Sequence, residues 1–190
     1  MRRGFKSQCE RKSVELRRTL SLLDTDPLDA VRVADHMGIT VWNESQIEGL
    51  SSIDLQVLQD EGADYWHALT LRIGHKHLIV YNSEQRGGRK NSIIMHEIAH
   101  IVLGHRLHDV MKNSDGLLVP GNYDQTQEDE ANWLAGALLL PRPALLRIRS
   151  AGISNLESTR IYNVSEQMLT WRLRMTGVDY QLKHVRKRAV

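Results

Sequence analysis

Between Ser92 and His105 the chain reads SIIMHEIAHIVLGH, an apolar run with two histidines and a glutamate set into it. A helix that buries Ile93, Ile94, Ile98, Ile101 and Val102 has no place for three unpaired titratable groups, since each gives up water without gaining a partner. One metal ion would satisfy all three. Residues four apart on a helix share a face about 6 Å apart along the axis, so His96 and His100 can grip the same ion. Glu97, beside the first of them, points into the adjoining space, where a carboxylate can take a proton from water that the ion activates. This is the HExxH arrangement of zinc peptidases. With nine histidines in the chain, an accidental match carries a risk of roughly a few per cent, and the apolar surroundings lower it further.

A catalytic zinc site takes three protein ligands and leaves one position for water. The metzincin pattern HExxHxxGxxH fails in register, because Leu103 stands at its glycine and Arg106 at its last histidine. His105 and His108 lie beyond Gly104, which ends the helix, and are weaker candidates. The stretch 128-EDEANWLAGALLLP-141 offers a better one, a carboxylate opening a strongly apolar helix. Glu128 shares a face with Ala131, Asn132, Ala135, Leu138 and Leu139, whose small alanines permit close approach to the HEIAH helix. Glu130 shares one with Trp133, Leu134 and Ala137 and stays open as an alternative, with Asp129 behind it. Two histidines and a carboxylate suit Zn²⁺ best and also suit Mn²⁺ or Fe²⁺.

The remaining sequence bounds the setting. A chain of 190 residues is most economically one unit, with residues 1–150 as the core and 151–190 as a helical C-terminal extension packed on it. A net charge of +2 with 25% charged residues does not mark a nucleic-acid binder, although both ends are basic. Cys9 is the only cysteine, no apolar h-region follows the first residues, and no stretch is long enough to span a bilayer. A cytoplasmic protein is therefore expected.

Periodicity predicts helices over 14–23 (with Val14, Leu16, Leu20 and Leu23 inward), 28–36, 91/92–103 and 127–140. Strands are expected at 39–42, 66–73 and 77–82, the last two forming a hairpin across GHK. Residues 43–62 are ambiguous and 106–127 read as a long loop. An extended peptide substrate would pair with a sheet edge, either 66–73 or 77–82. Tyr123 is a candidate oxyanion donor, though a loop tyrosine is more often a packing residue.

Residues 155–178 have helix-turn-helix proportions, with Ser165 as a cap and Leu169 and Leu173 on one face. Arg172 and Arg174 admit a DNA-binding reading, but Trp171, Leu173 and Met175 interleave with them, which favours structural support or docking of a protein substrate.

Taken together, RRGFKSQCERKSVELRR, TDPLDAVRVADHMGITVW, IMHEIAHIVLGH, YDQTQEDEANWLAGALLLPR and YNVSEQMLTWRLRMTGV resemble the ImmA/IrrE metallo-endopeptidases, minimal gluzincin-type zinc peptidases. The resemblance implies an α+β zincin-like fold: a small twisted antiparallel or mixed sheet on an HExxH helix, a second ligand-bearing helix, and a helical C-terminal part. It implies His96, His100 and Glu128 as metal ligands and Glu97 as general base. It also implies cleavage of one peptide bond in a helix-turn-helix repressor, relieving repression of mobile-element or stress functions. The alternative is a catalytically silent module that binds a regulator or DNA through the C-terminal segment.

Overall fold

The structure, a computed structural model, describes residues 1–59, 66–106, 110–112, 118–120 and 124–188. Tyr123 and His108, both considered from the sequence, lie outside the described residues.

Helix α1 (Phe5–Thr19) leads into α2 (Ala30–His36), which Asp29 caps by accepting from the Arg32 amide. Gly38, at φ 67°, turns the chain into strand β1 (Thr40–Asn43). The ambiguous stretch that follows holds a 3-10 turn (Glu44–Gln46) and helix α3 (Ser52–Gln59). The expected hairpin is β2 (Ala68–Ile73) and β3 (Lys76–Tyr81), antiparallel, with Thr70 opposite Ile79.

Strand β1 joins β3 in parallel, Val41 opposite Ile79, so the sheet order is β1-β3-β2. This corrects one expectation: 77–82 is the central strand, its backbone groups paired on both sides, and cannot be an open edge. Among the described residues strand β2 is an edge.

Helix α4 (Gly87–Leu103) carries the HEIAH run and starts a turn earlier than the sequence suggested. Neither Asn91 nor Ser92 caps it. Asn91 is instead buried within α4, where Oδ1 accepts from the Ala30 amide at 2.7 Å and Nδ2 donates to the carbonyls of Leu28 and Asn163. The supposed long loop contains two short antiparallel strands, β4 (Val110–Lys112) and β5 (Leu118–Pro120).

Helix α5 (Gln125–Leu139) is capped by Asp124, which accepts from the Thr126 and Gln127 amides. Its residues Trp133 to Leu139 are all buried, and each fully buried leucine contributes about 1.5–3 kcal/mol. Helix α6 (Arg142–Ser150) follows at once, with the PRP sequence at its start, because proline suits a first helical turn. Helices α7 (Asn155–Tyr162) and α8 (Glu166–Thr176) flank a turn with Asn163 at φ 47°; Ser165 caps α8, and Leu169 and Leu173 are buried. Helix α9 (Val178–Arg188) ends the described chain.

The core lies between α4 and α5, with the inner face of the sheet, α1, α2 and the C-terminal helices around them. Two arginines enter it. Helix α1 buries Phe5, Cys9, Ser13 and Arg17 most deeply; of the residues expected inward, Leu16 and Leu20 are partly buried against the core and Leu23 is exposed. Arg17 Nη2 donates to the Leu138 carbonyl at 2.8 Å, and Arg172 donates from Nε and Nη2 to that of Leu140 while pairing with Glu10 at 2.6 Å. Both cations sit where the last carbonyls of α5 lack helical partners. Arg172, fully buried, is therefore not on a surface that could read DNA.

Candidate active site

Helices α4 and α5 pack side by side and bring three side chains to one point. His96 and His100, one turn apart on α4, face each other with Nε2 atoms 3.0 Å apart. Glu128, in the first turn of α5, presents Oε2 to His96 Nε2 at 3.2 Å and Oε1 to His100 Nε2 at 3.4 Å. Their donor atoms lie within 4.8 Å of one another. Metal–ligand bonds of about 2.0–2.1 Å in a tetrahedron put ligand atoms about 3.3 Å apart. The observed triangle already has that size, so nitrogen and carboxylate donors of the right kind are held at the spacing a divalent ion needs.

The group is set into apolar packing. On the two helices that carry it Ile94, Met95, Ile98, Ala99, Ala131 and Ala135 are fully buried, and the small alanines of α5 suit the close packing of α5 on α4. Burial, the largest influence on His96, opposes its protonation, yet its pKa is raised. The hydrogen bond that His96 donates to Glu128, the charges of Glu97 and Glu128, and a hydrogen bond to Asn132 outweigh desolvation. Asn132, on the same face of α5 as Glu128, thus also reaches the histidine pair.

Glu97 is next to the group and is tied to the sheet: its Oε2 accepts from the Thr70 hydroxyl on edge strand β2. Thr70 is buried and faces α4, while Leu71 after it is exposed. A lone threonine in a strand gave no sign of this in the sequence; only the pairing of β2 on β3 aims it at Glu97.

Two of the alternative ligands, His105 and Glu130, lie elsewhere. His105 has its Nδ1 3.1 Å from Nδ1 of His100, behind that ring, and Glu130 Oε2 is 3.5 Å from Nε2 of His105. Among the described residues the cluster able to hold a metal consists of His96, His100 and Glu128.

A small mixed sheet laid against an HExxH helix, with a carboxylate supplied by a second helix, defines a minimal zincin-like peptidase domain. Over residues 49–174 the chain matches the family model described as IrrE N-terminal-like domain, Peptidase_M78, and it belongs to that family. It is accordingly a metallopeptidase by family, a hydrolase with protein as its substrate and a divalent metal as its cofactor. No curated protein and no solved structure matches it significantly. No helix among the described residues is long and apolar enough to cross a membrane.

Proposed function

We propose that the protein is a cytoplasmic zinc-dependent endopeptidase that hydrolyses a single peptide bond in a helix-turn-helix repressor and so relieves repression. The observation that carries the catalytic part is the triangle of His96, His100 and Glu128 with Glu97 beside it. The repressor as substrate, and the mobile-element or stress setting, are supported by the resemblance to ImmA/IrrE peptidases.

His96 and His100 would hold the ion through Nε2, and Glu128 would complete the protein ligands. When bound, zinc lowers the pKa of water to about 7 and polarises the scissile carbonyl. Glu97 accepts the proton of the attacking water and passes it to the leaving amine, with Thr70 keeping its carboxylate aimed. The edge that β2 forms among the described residues supplies backbone groups to which an extended substrate segment can pair. In this reading residues 1–150 form the peptidase core, and residues 151–190, whose Tyr162, Leu169, Leu173 and Val178 join the main hydrophobic cluster, are part of the same unit.

The test is co-expression with a helix-turn-helix regulator encoded beside the gene, followed by intact-mass measurement of that regulator. Wild type should release two fragments whose masses sum to the regulator plus water, and both a chelator and Glu97→Gln should abolish them. Cleavage that persists with Glu97→Gln would sink the mechanism. An intact regulator beside zinc-loaded wild type would overturn this choice of substrate.

A further inference from the structure

We propose that His105 and Glu130 form a positioning relay behind His100, fixing the tautomer and orientation in which that ring offers Nε2 to the metal. The inference rests on the metal-site reading above and adds two residues to it.

The relay begins in how α4 ends. Gly104 takes φ 66° and closes the helix with two reversed hydrogen bonds, from its own amide to the Ile101 carbonyl and from the His105 amide to the His100 carbonyl, both 3.1 Å. In this closure the residue after the glycine folds back onto the residue whose carbonyl it bonds. Here that pair is His105 and His100, and their rings meet edge to face with centroids 5.0 Å apart. The Gly-His that follows the apolar run thus serves to stop the helix and to deliver an imidazole.

The contact is polar. The two Nδ1 atoms are 3.1 Å apart, which requires one to carry hydrogen and the other to accept it. A histidine that binds metal through Nε2 keeps its proton on Nδ1, so His100 must be the donor and His105 the acceptor. His105 then holds its own proton on Nε2. That nitrogen is buried and makes no hydrogen bond among the described residues, while the Glu130 carboxylate faces it at 3.5 Å. The side chain of His105 is 7% exposed and that of Glu130 20%, so a small rotation of Glu130 closes the last link where water has little access.

The chain Glu130–His105–His100 has the form by which outer carboxylates orient metal-bound histidines, with an imidazole inserted as spacer. It also gives Glu130 a position distinct from that of Glu128. The two carboxylates, two residues apart on α5, address opposite ends of the histidine cluster.

The experiment measures Zn²⁺ dissociation constants by competition with a chromophoric chelator, and Co²⁺ absorption spectra. Wild type, His105→Phe, His105→Asn, Glu130→Gln and His100→Ala are compared, with thermal midpoints of the metal-free proteins as a control for folding. His105→Phe keeps a ring but no acceptor, and should weaken zinc binding about 10–100-fold and shift the cobalt bands. His105→Asn places an oxygen near the lost Nδ1 and should recover most of the affinity. Glu130→Gln should weaken binding several-fold in the wild-type background and have no effect in His105→Phe. Zinc binding by His105→Phe equal to wild type, with His100→Ala deficient, would overturn the relay alone, as would His105→Asn no better than His105→Phe. Wild type that fails to bind zinc would overturn the metal-site reading and the relay with it.

Discussion

The hydroxyl of Thr70 donates to Oε2 of Glu97, joining the edge strand of the sheet to the carboxylate beside the histidine pair. A carboxylate with one oxygen held in this way loses rotational freedom and keeps the other oxygen available for proton transfer. Thr70→Val preserves the shape of the side chain and removes the hydroxyl. A hydrogen bond to a charged group contributes about 1.5–3 kcal/mol, and tenfold in rate corresponds to about 1.4 kcal/mol. We expect kcat for regulator cleavage to fall about tenfold or more, with zinc affinity unchanged. Steady-state cleavage rates and a zinc titration check this together, and an unchanged kcat would show that Glu97 needs no such support.

The raised pKa of His96 makes the metal-free protein pH-sensitive in a definite direction. Below its ordinary value of 6.5, His96 is protonated in both folded and unfolded chains, and the stabilisation from Glu128 and its neighbours is fully present. As pH rises from there through the raised folded value, that stabilisation is lost. Denaturation of chelated protein from about pH 5 to pH 9 should show wild type losing its advantage over His96→Gln as pH increases. Zinc should act in the opposite sense, because it displaces the proton: apparent affinity should climb about tenfold per pH unit while His96 is protonated. A zinc affinity independent of pH across this interval would contradict the assignment of His96 as a ligand.

The legible parts of the fold were those in which chemistry and helical period coincide. HEIAH at i and i+4, Gly104 as a stop, Ser165 as a cap and the β2–β3 hairpin could all be read from spacing. Glu128 was distinguishable from Glu130 only as lying on a different helical face, and the structure adds that these faces meet different histidines. The parallel pairing of β1 with β3 was not legible, because it joins segments far apart in sequence with α3 between them. Nor was the buried face of α1. Apolar periodicity cannot register Ser13 and Arg17 facing inward, since their place is set by the unpaired carbonyls at the end of α5.

Those carbonyls give a prediction about stability. Arg172 bonds the Leu140 carbonyl twice and pairs with Glu10, so removing its head strands that carbonyl and leaves the Glu10 carboxylate with the Arg142 amide but without its cation. Breaking a buried pair from one side costs about 3–5 kcal/mol, and for a chain of this size each kcal/mol lowers Tm by about 2–4 °C. Arg172→Ala should therefore melt about 6–20 °C lower. Arg172→Met, together with Glu10→Met, should recover part of the loss, because the carboxylate is no longer left without its cation. Calorimetry of the three metal-free proteins distinguishes this from a simple loss of packing volume, for which the double variant would be no better than Arg172→Ala.

Burial of Cys9 raises its thiol pKa to about 12, further than the charge of Glu10 alone would move it. The thiolate is the nucleophile, so a thiol that is both buried and reluctant to ionise should be inert toward maleimide or iodoacetamide until the chain opens. Labelling at pH 8 should follow the rate of unfolding, rising with denaturant in step with the loss of helical signal. Rapid labelling of native protein would place Cys9 outside the core.

Gly88 ties the start of the HEIAH helix to the turn between α7 and α8. A Cβ built there would lie 2.4 Å from the Val164 carbonyl carbon and 2.5 Å from its oxygen, and both belong to backbone. No side-chain rotation relieves such a clash. Gly88→Ala must push α4 away from the turn and strain the neighbouring bond from Asn91 Nδ2 to the Asn163 carbonyl, now 2.9 Å. Overpacking of this kind costs about 1–3 kcal/mol, which lowers Tm by about 2–12 °C. Gly87→Ala is the informative comparison, because its Cβ would meet nothing within 4 Å although φ is +51°. Only the left-handed conformation is then penalised, by about 1–2 kcal/mol. Both proteins should still bind zinc, since His96 lies two turns further along α4. The difference appears on mild denaturation: Gly88→Ala should expose residues 155–176 to protease before the histidine helix loses its metal, whereas Gly87→Ala should lose both together.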